Sequence, residues 1–509
     1  MLARITALPL FVILMGMGAL AMFLPALHAW FMSDFNTMRV FFYGMILFGT
    51  LTLLVALATA GYEPESVARS QLVALLAAFS VLPLMFAVPF YVAVGNTTLL
   101  NAWFEMVSSF TTTGASVYDT AGRLTPSQHV WRALVGWLGG LLVWVTAISI
   151  FAPMNLGGFE VRALSTAGAG AENRTQTVQI ARIPDPSERL ARYAVYLTPI
   201  YIALTFVLWL GLTMLGEVPY VALCHAMSIL STSGITPIGG YYYAASGFWG
   251  ELLVIGFFAF ALSRLTFSQG LIAEDTAALR RDPEFRIALV LILGATALLF
   301  LRHFVWGIEE GDDITLLDRF AAFWGALFTV TSFLTTTGFE SAYWQTTVDW
   351  SGLEAAGILL VGAALIGGGV ATTAGGVKLL RVYALARHSE RELDRLVHPS
   401  SVGGGGRDAR RIRRKGAYIS WIFFMLFAIS IAGVMLLLSL TGVQFETSMI
   451  LAVSALSTTG PLANVAAETP VSYSGIPDLA KGILAAAMVL GRLETLAIIA
   501  LFNPEIWRK

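Results

Sequence analysis

Apolar residues in this 509-residue chain come in continuous runs of about 20, the length an α-helix needs to cross the hydrocarbon core of a bilayer. The runs do not alternate in polarity, which argues against an outer-membrane barrel. Ten of them fall near residues 5–30, 38–60, 71–94, 129–152, 193–215, 247–268, 286–303, 352–386, 416–440 and 478–502. Apolar residues make up 57% of the chain and charged residues 12%, against roughly 45–50% and about 25% in soluble proteins. A soluble enzyme, a disordered chain and a fibrous protein are thereby excluded. The first run starts like a signal peptide, with Arg4 ahead of it. It continues to Phe31 and a second run follows at once, so it reads as a retained span.

An even number of spans places both termini on one side. Segments on that side hold five Arg in 153–192, four in 264–286 and eleven Lys or Arg in 378–415. This bias makes the side cytoplasmic. Within it, Ser400–Lys415 reads SSVGGGGRDARRIRRK, a glycine linker running into a basic cluster. It serves either as an anchor beside the next span or as a dock for a cytoplasmic partner or anionic membrane lipid. The net charge of −1 supplies no field for nucleic acid. Cys224 is the one cysteine; with His225 beside it and no second thiol, a zinc site is not expected.

Four connections on the outer side carry a short apolar segment that ends in a polar turn: NAWFEMVSSFTTTGAS, PYVALCHAMSILSTSGIT, DRFAAFWGALFTVTSFLTTTGFE and FETSMILAVSALSTTGPL. Their glycines are Gly114, Gly234, Gly338 and Gly460. Immediately before them stand Thr113, Ser233, Thr337 and Thr459. One place earlier all four have threonine: Thr112, Thr232, Thr336 and Thr458. Each turn lies between two long spans, which predicts an all-α polytopic membrane protein with four helix–pore loop–helix units around one central pore, plus a leading two-helix unit. The expected boundaries are 1–62 for the leading pair and 63–165, 166–272, 273–400 and 401–509 for the units. Internal repetition of this kind is a signature of transport proteins. A half-helix aimed at the pore with its C-terminal end favours cations. Carbonyls and Thr hydroxyls can replace a cation's water shell. Four turns in one chain supply a ring without a tetramer.

At these turns the chain resembles the Trk/Ktr/HKT superfamily of potassium uptake proteins, in particular the TrkH-type membrane subunits. The likeness extends to WLGG at Trp137–Gly140, GGGVATTAGGVK at Gly367–Lys378, LGRLE at Leu490–Glu494 and the ending ALFNPEIWRK. The resemblance implies a potassium selectivity filter at the twelve Thr, Ser and Gly positions above, because glycine rather than serine stands at position 114. It implies a gate in a broken helix of the third unit, made of Gly367, Gly368, Gly369, Thr372, Thr373, Gly375 and Gly376. It also implies a homodimer in a bacterial inner membrane and a cytoplasmic nucleotide-binding regulatory subunit of the TrkA kind. No cofactor is expected, and potassium is the substrate. The glycines of 367–376 would also suit close packing of helices through small residues.

Arg492 lies well inside the last apolar run, where a charge is costly and faces water, a partner or the bundle interior. The resemblance places it in the pore below the filter, as a barrier or as a partner of the gate loop. The other reading is an internal ion pair with Glu494 or another acid, although Glu494 points to a different helix face. Glu105, on the first half-helix, reads foremost as a bond to the backbone around it and otherwise as a source of negative field. Asp119 is either a cation attractor at the mouth or a solvated carboxylate. Lys378 reads first as an anchor at the cytoplasmic end and second as a gate contact. Potassium would enter through the filter, cross a hydrophobic cavity, then pass the loop and Arg492. No G-x-x-x-x-G-K-[ST] motif is present, so energy or nucleotide control comes from elsewhere. The alternative is a proton- or sodium-coupled potassium symporter. An enzyme is not expected, since the spans hold no HExxH and no clustered nucleophile arrangement.

Overall fold

The computed structural model describes residues 8–61, 67–154, 156–161, 186–263, 282–305, 315–353, 355–398, 414–467 and 469–494. Every regular element among them is helical. The leading pair is α1 (Leu10–Phe31) and α2 (Phe35–Ala58). The first unit follows as α3 (Val67–Val94), the half-helix α4 (Leu99–Phe110) and α5 (Pro126–Thr146). The second unit is α6 (Pro186–Met214), half-helix α7 (Pro219–Ser231) and α8 (Gly247–Leu262). The third is α9 (Pro283–Val305), half-helix α10 (Leu316–Leu334), the short α11 (Trp344–Ser351), α12 (Gly357–Ile366) and α13 (Leu379–Val397). The fourth is α14 (Arg414–Leu440), half-helix α15 (Phe445–Leu456) and α16 (Asp478–Leu493). The all-α architecture with four repeated units is the one the sequence predicts.

Seven described helices are long and apolar enough to cross a membrane. The remaining three expected spans are shorter or broken. The run near 247–268 is helical as Gly247–Leu262, with residues from 264 outside the described set. The run near 352–386 is not one span. It is ten residues of α12, a non-helical stretch at 367–378, and an amphipathic α13 that continues to Val397. The run near 478–502 is helical as Asp478–Leu493 and leaves the described residues after Glu494. The basic linker at 400–415 and the ending at 500–509 also lie outside them, apart from the start of α14.

Local sequence explains where the half-helices begin. Thr98 caps α4 by accepting from the Asn101 amide at 3.2 Å. Thr315 and Asp318 form a reciprocal capping box at α10. Pro219 occupies the first turn of α7, where its missing N–H costs nothing. The units then interlock in a ring. The closing helix of each packs on the half-helix of the next: α5 on α7, α8 on α10, α12 on α15, and α16 back on α4. Backbone that is not helical survives at membrane depth only when enclosed by protein or lining water. This ring provides that enclosure for the four turns.

Candidate functional site

Each half-helix ends the same way. Thr112, Thr232, Thr336 and Thr458 take left-handed backbone conformations, with φ between 53° and 57°. A β-branched residue in that region is strained, by about 1–3 kcal/mol. Four occurrences at one repeat position mark a site where the surrounding structure enforces the geometry. In every unit the residue before the glycine sends its amide back to a serine carbonyl on the half-helix: Thr113 to Ser108 at 2.8 Å, and Ser233 to Ser228, Thr337 to Ser332 and Thr459 to Ser454, each at 2.9 Å. Those serines stand six places before each glycine. They were not singled out from the sequence, although the offset is the same in all four copies.

The four turns meet. A Cβ on Gly114 would run into the Ser233 carbonyl oxygen, so only glycine fits there. Gly234 in turn abuts Thr337, Gly338 abuts Pro461, and Gly460 abuts Gly114 and Ala115, which closes the circle. The circle is not fourfold symmetric. Gly114, Gly234 and Gly338 have positive φ and Gly460 does not. The Gly460 amide donates to the Thr113 carbonyl at 2.6 Å. All four glycines line one cavity of about 720 Å³, with Asp119 and Glu340 on its wall.

The hydroxyls divide into two sets. Those next to the glycines turn back on their own segments: Thr111 with Thr113 at 2.8 Å, Ser231 with Ser233 at 3.0 Å, Thr335 with Thr337 at 3.2 Å, and Ser457 with Thr459 at 3.3 Å. Of the set one place earlier, three meet groups below the ring. Arg492 donates to the Thr112 hydroxyl and, at 3.0 Å, to that of Thr458. The Gly375 amide donates to Thr336 Oγ1 at 2.8 Å. Thr232 instead donates to the Ser231 carbonyl at 2.7 Å.

Arg492 is 5% exposed. Beyond those hydroxyls its guanidinium donates to the Thr111 carbonyl and the Thr373 carbonyl, both at 2.7 Å. It therefore joins the first and fourth turns to the loop at 367–378. The internal ion-pair reading with Glu494 fails, because Glu494 accepts from Arg381 at 2.7 Å instead. The loop is buried throughout. Gly368 and Gly369 lie against the end of α8, where the Gly369 amide donates to the Ala261 carbonyl at 2.9 Å. Thr372 closes the loop on itself through the Gly369 carbonyl at 2.7 Å. Thr373 donates to the Leu230 carbonyl of α7 at 3.1 Å. Gly367 and Gly376, both at positive φ, pack on each other at the loop's neck. Gly375 sits against Ser457 and Thr458 with no room for a side chain. Loop and Arg492 thus touch the turns of the ring directly. Lys378 is buried and donates to the Ala374 carbonyl within the loop.

Behind the ring, a polar group braces each exit, and only the first of these was legible beforehand. Glu105 accepts from the Val117 amide at 3.1 Å and pairs with Arg132, both groups buried. This is the backbone role read for it. His225 bridges Glu217 at 2.7 Å and Thr236 at 3.0 Å. Glu251 holds the third exit, and the Tyr473 hydroxyl donates to the Gly460 carbonyl at 2.9 Å. Asp119 accepts from Ser472 at 2.7 Å and Ser474 at 2.5 Å, tying the first exit to the fourth. Outside the spans, burial pushes the Glu340 carboxyl up to about 7.

Comparison with known proteins gives a consistent result. The TrkH family model, described as a cation transport protein, matches residues 36–509. The chain is 28% identical over 426 residues to the Trk system potassium uptake protein TrkH of Salmonella typhimurium, covering 81% of this chain and 80% of that one. It is 29% identical over 429 residues to the TrkH of Vibrio parahaemolyticus, covering 83% and 82%. The crystal structure of the potassium transporter TrkH from Vibrio parahaemolyticus shares the fold, with a TM-score of 0.80 at 24% identity over 100% of both chains. Seven helices of membrane-crossing length and these transport-protein relatives make the chain an integral membrane protein.

Proposed function

Because the chain belongs to the TrkH family of cation transport proteins, we propose that it is the ion-translocating membrane subunit of a potassium uptake system and passes potassium down its electrochemical gradient. The observation that carries this reading is the ring: four glycine turns from four units in mutual contact, open to one cavity and backed by Arg492 and a buried loop. The names of its relatives supply potassium as the substrate.

Potassium enters the outer cavity, where Asp119 and Glu340 favour cations. It sheds water and is held by the backbone carbonyls of residues 112–114, 232–234, 336–338 and 458–460. Passage requires the Gly460–Thr113 hydrogen bond to part, which turns the Thr113 carbonyl to the axis. Below, the guanidinium of Arg492 stands where a cation would leave the ring and repels it. The loop closes the same exit. Opening withdraws Thr373 and Gly375 from Leu230 and Thr336, and carries Arg492 off Thr111, Thr112 and Thr458. Each 100 mV of inside-negative potential is worth about 2.3 kcal/mol per charge, enough for a passive pore to accumulate potassium. On this reading the units divide at 63–165, 166–272, 273–400 and 401–509, behind the leading pair 1–62. The termini are cytoplasmic, the membrane is a bacterial inner membrane, the subunit forms a homodimer, and a TrkA-like regulator sets the loop.

The test is rubidium tracer uptake into potassium-loaded proteoliposomes that hold this chain alone. Uptake that follows the membrane potential with no proton or sodium gradient supports the pore. Uptake that stops without such a gradient supports coupled symport instead.

A further inference from the structure

Glu251 lies on α8, the closing helix of the second unit, yet among the described residues its carboxylate accepts its hydrogen bonds from the third. It is 1% exposed. Oε1 accepts from the Ala342 amide at 2.7 Å. Oε2 accepts from the Ser341 hydroxyl at 2.8 Å and from the indole N–H of Trp324 at 2.7 Å. Ala342 follows Gly338 by four residues, and Trp324 is on half-helix α10. Glu251 thus pins the exit of the third turn to the helix that enters it.

The segment it holds has little other freedom. The Phe339 amide donates to Ser332 Oγ at 2.7 Å, and the Ser341 amide donates to Thr329 Oγ1 at 3.1 Å. Ser341 Oγ accepts from the Tyr343 amide at 3.1 Å, so its own proton is free for Glu251. The site therefore presents donors to both carboxylate oxygens. Two of them, an amide and an indole, can never accept. In the first unit the corresponding brace, Glu105, comes from that unit's own half-helix. The third turn takes its brace from its neighbour.

We infer that Glu251 is a positioning residue for ion selectivity: it acts through Ser341 and Ala342 to fix the carbonyl direction at Gly338, and it transmits the packing of the second unit to the third turn. This rests on the proposed function, since it requires that Gly338 face a permeating cation. A group that only held the fold together would lower the amount of working protein. A group that sets carbonyl direction changes which ion passes.

The experiment compares wild type, Glu251→Gln, Glu251→Asp and Trp324→Phe in the full chain, reconstituted after gel filtration confirms a monodisperse protein. The readout is the sodium-to-potassium permeability ratio from bi-ionic potentials. Glu251→Gln keeps the size but aims an N–H₂ at Trp324 and Ser341 or at Ala342. The ratio is expected to rise about tenfold, the scale of one lost buried hydrogen bond. Trp324→Phe removes a single donor and shifts the ratio the same way by about two- to threefold, as the weaker variant that keeps the test alive if Glu251→Gln does not fold. Glu251→Asp restores both acceptors and lies closer to wild type than the isosteric Gln. A ratio unchanged in all variants, with flux merely scaled down, overturns the inference. A wild-type chain without cation selectivity overturns the proposed function, and this inference with it.

Discussion

The amide of Gly375 donates to the side-chain oxygen of Thr336 at 2.8 Å, and this single bond ties the loop of the third unit to the turn of the same unit. Thr336→Val keeps the shape and removes the acceptor. The Gly375 N–H is then buried without a partner, a cost of about 1–3 kcal/mol borne only while the loop lies against the turn, which the proposed function takes as the closed arrangement. Potassium flux through the reconstituted variant is expected to rise about tenfold, since a bias of that size moves a two-state equilibrium by that factor. Flux equal to wild type in a folded protein would show that the bond does not hold the loop shut.

Arg492 has five donors in a rigid fork and uses them on four acceptors: Thr111 and Thr373 carbonyls, Thr112 and Thr458 hydroxyls. A lysine keeps the charge and loses the fork. If both the charge and the contacts oppose the ion, flux should rank Arg492→Ala above Arg492→Lys above wild type. Stopped-flow thallium quenching in vesicles would give that order. If Arg492→Ala conducts no faster than wild type, the barrier role is excluded.

A titration at the mouth carries its own expectation. With the Glu340 carboxyl raised to about 7 by burial, it is neutral below that pH and ionised above it. The cavity over the ring therefore gains a negative charge as pH rises from about 6 to about 8. At limiting external potassium, uptake should increase about two- to threefold across that interval through local cation concentration. Glu340→Gln should flatten the profile at the low-pH level. A slope that survives in Glu340→Gln assigns the titration to another group.

The Glu105–Arg132 pair is buried on both sides and fixes the first exit. Removing one partner leaves a buried charge without its counterpart, which destabilises by about 3–5 kcal/mol. Thermal denaturation in detergent should show Arg132→Leu to be less stable than the double variant Glu105→Leu, Arg132→Leu. Additive losses in the double variant would mean that the two groups do not interact.

Much of this was written in the residues. Threonine and glycine recur at fixed offsets in all four turns, so Thr112, Gly114 and their counterparts could be aligned by eye. Arg492 stood out because a charge inside an apolar run is costly. The glycines at 367–376 marked a break because they cannot sustain a helix. The contacts between units were not legible. Glu251 bracing Ala342, or Arg381 pairing with Glu494, depends on how the ring closes, and no periodicity along the chain encodes that. The asymmetry at Gly460 has the same origin: its sequence matches the other turns, but Pro461 and the contact with Thr113 give it a different backbone.

The most direct test of the account is the reversal potential under bi-ionic potassium and sodium for wild type and Gly114→Ser, recorded from the reconstituted chain. Gly114 meets Ser233 with no space for a side chain, so serine must displace one wall of the ring. Wild type should favour potassium, and Gly114→Ser should lose most of that preference while still conducting. Identical reversal potentials in the two proteins would contradict a selectivity filter at the four glycines.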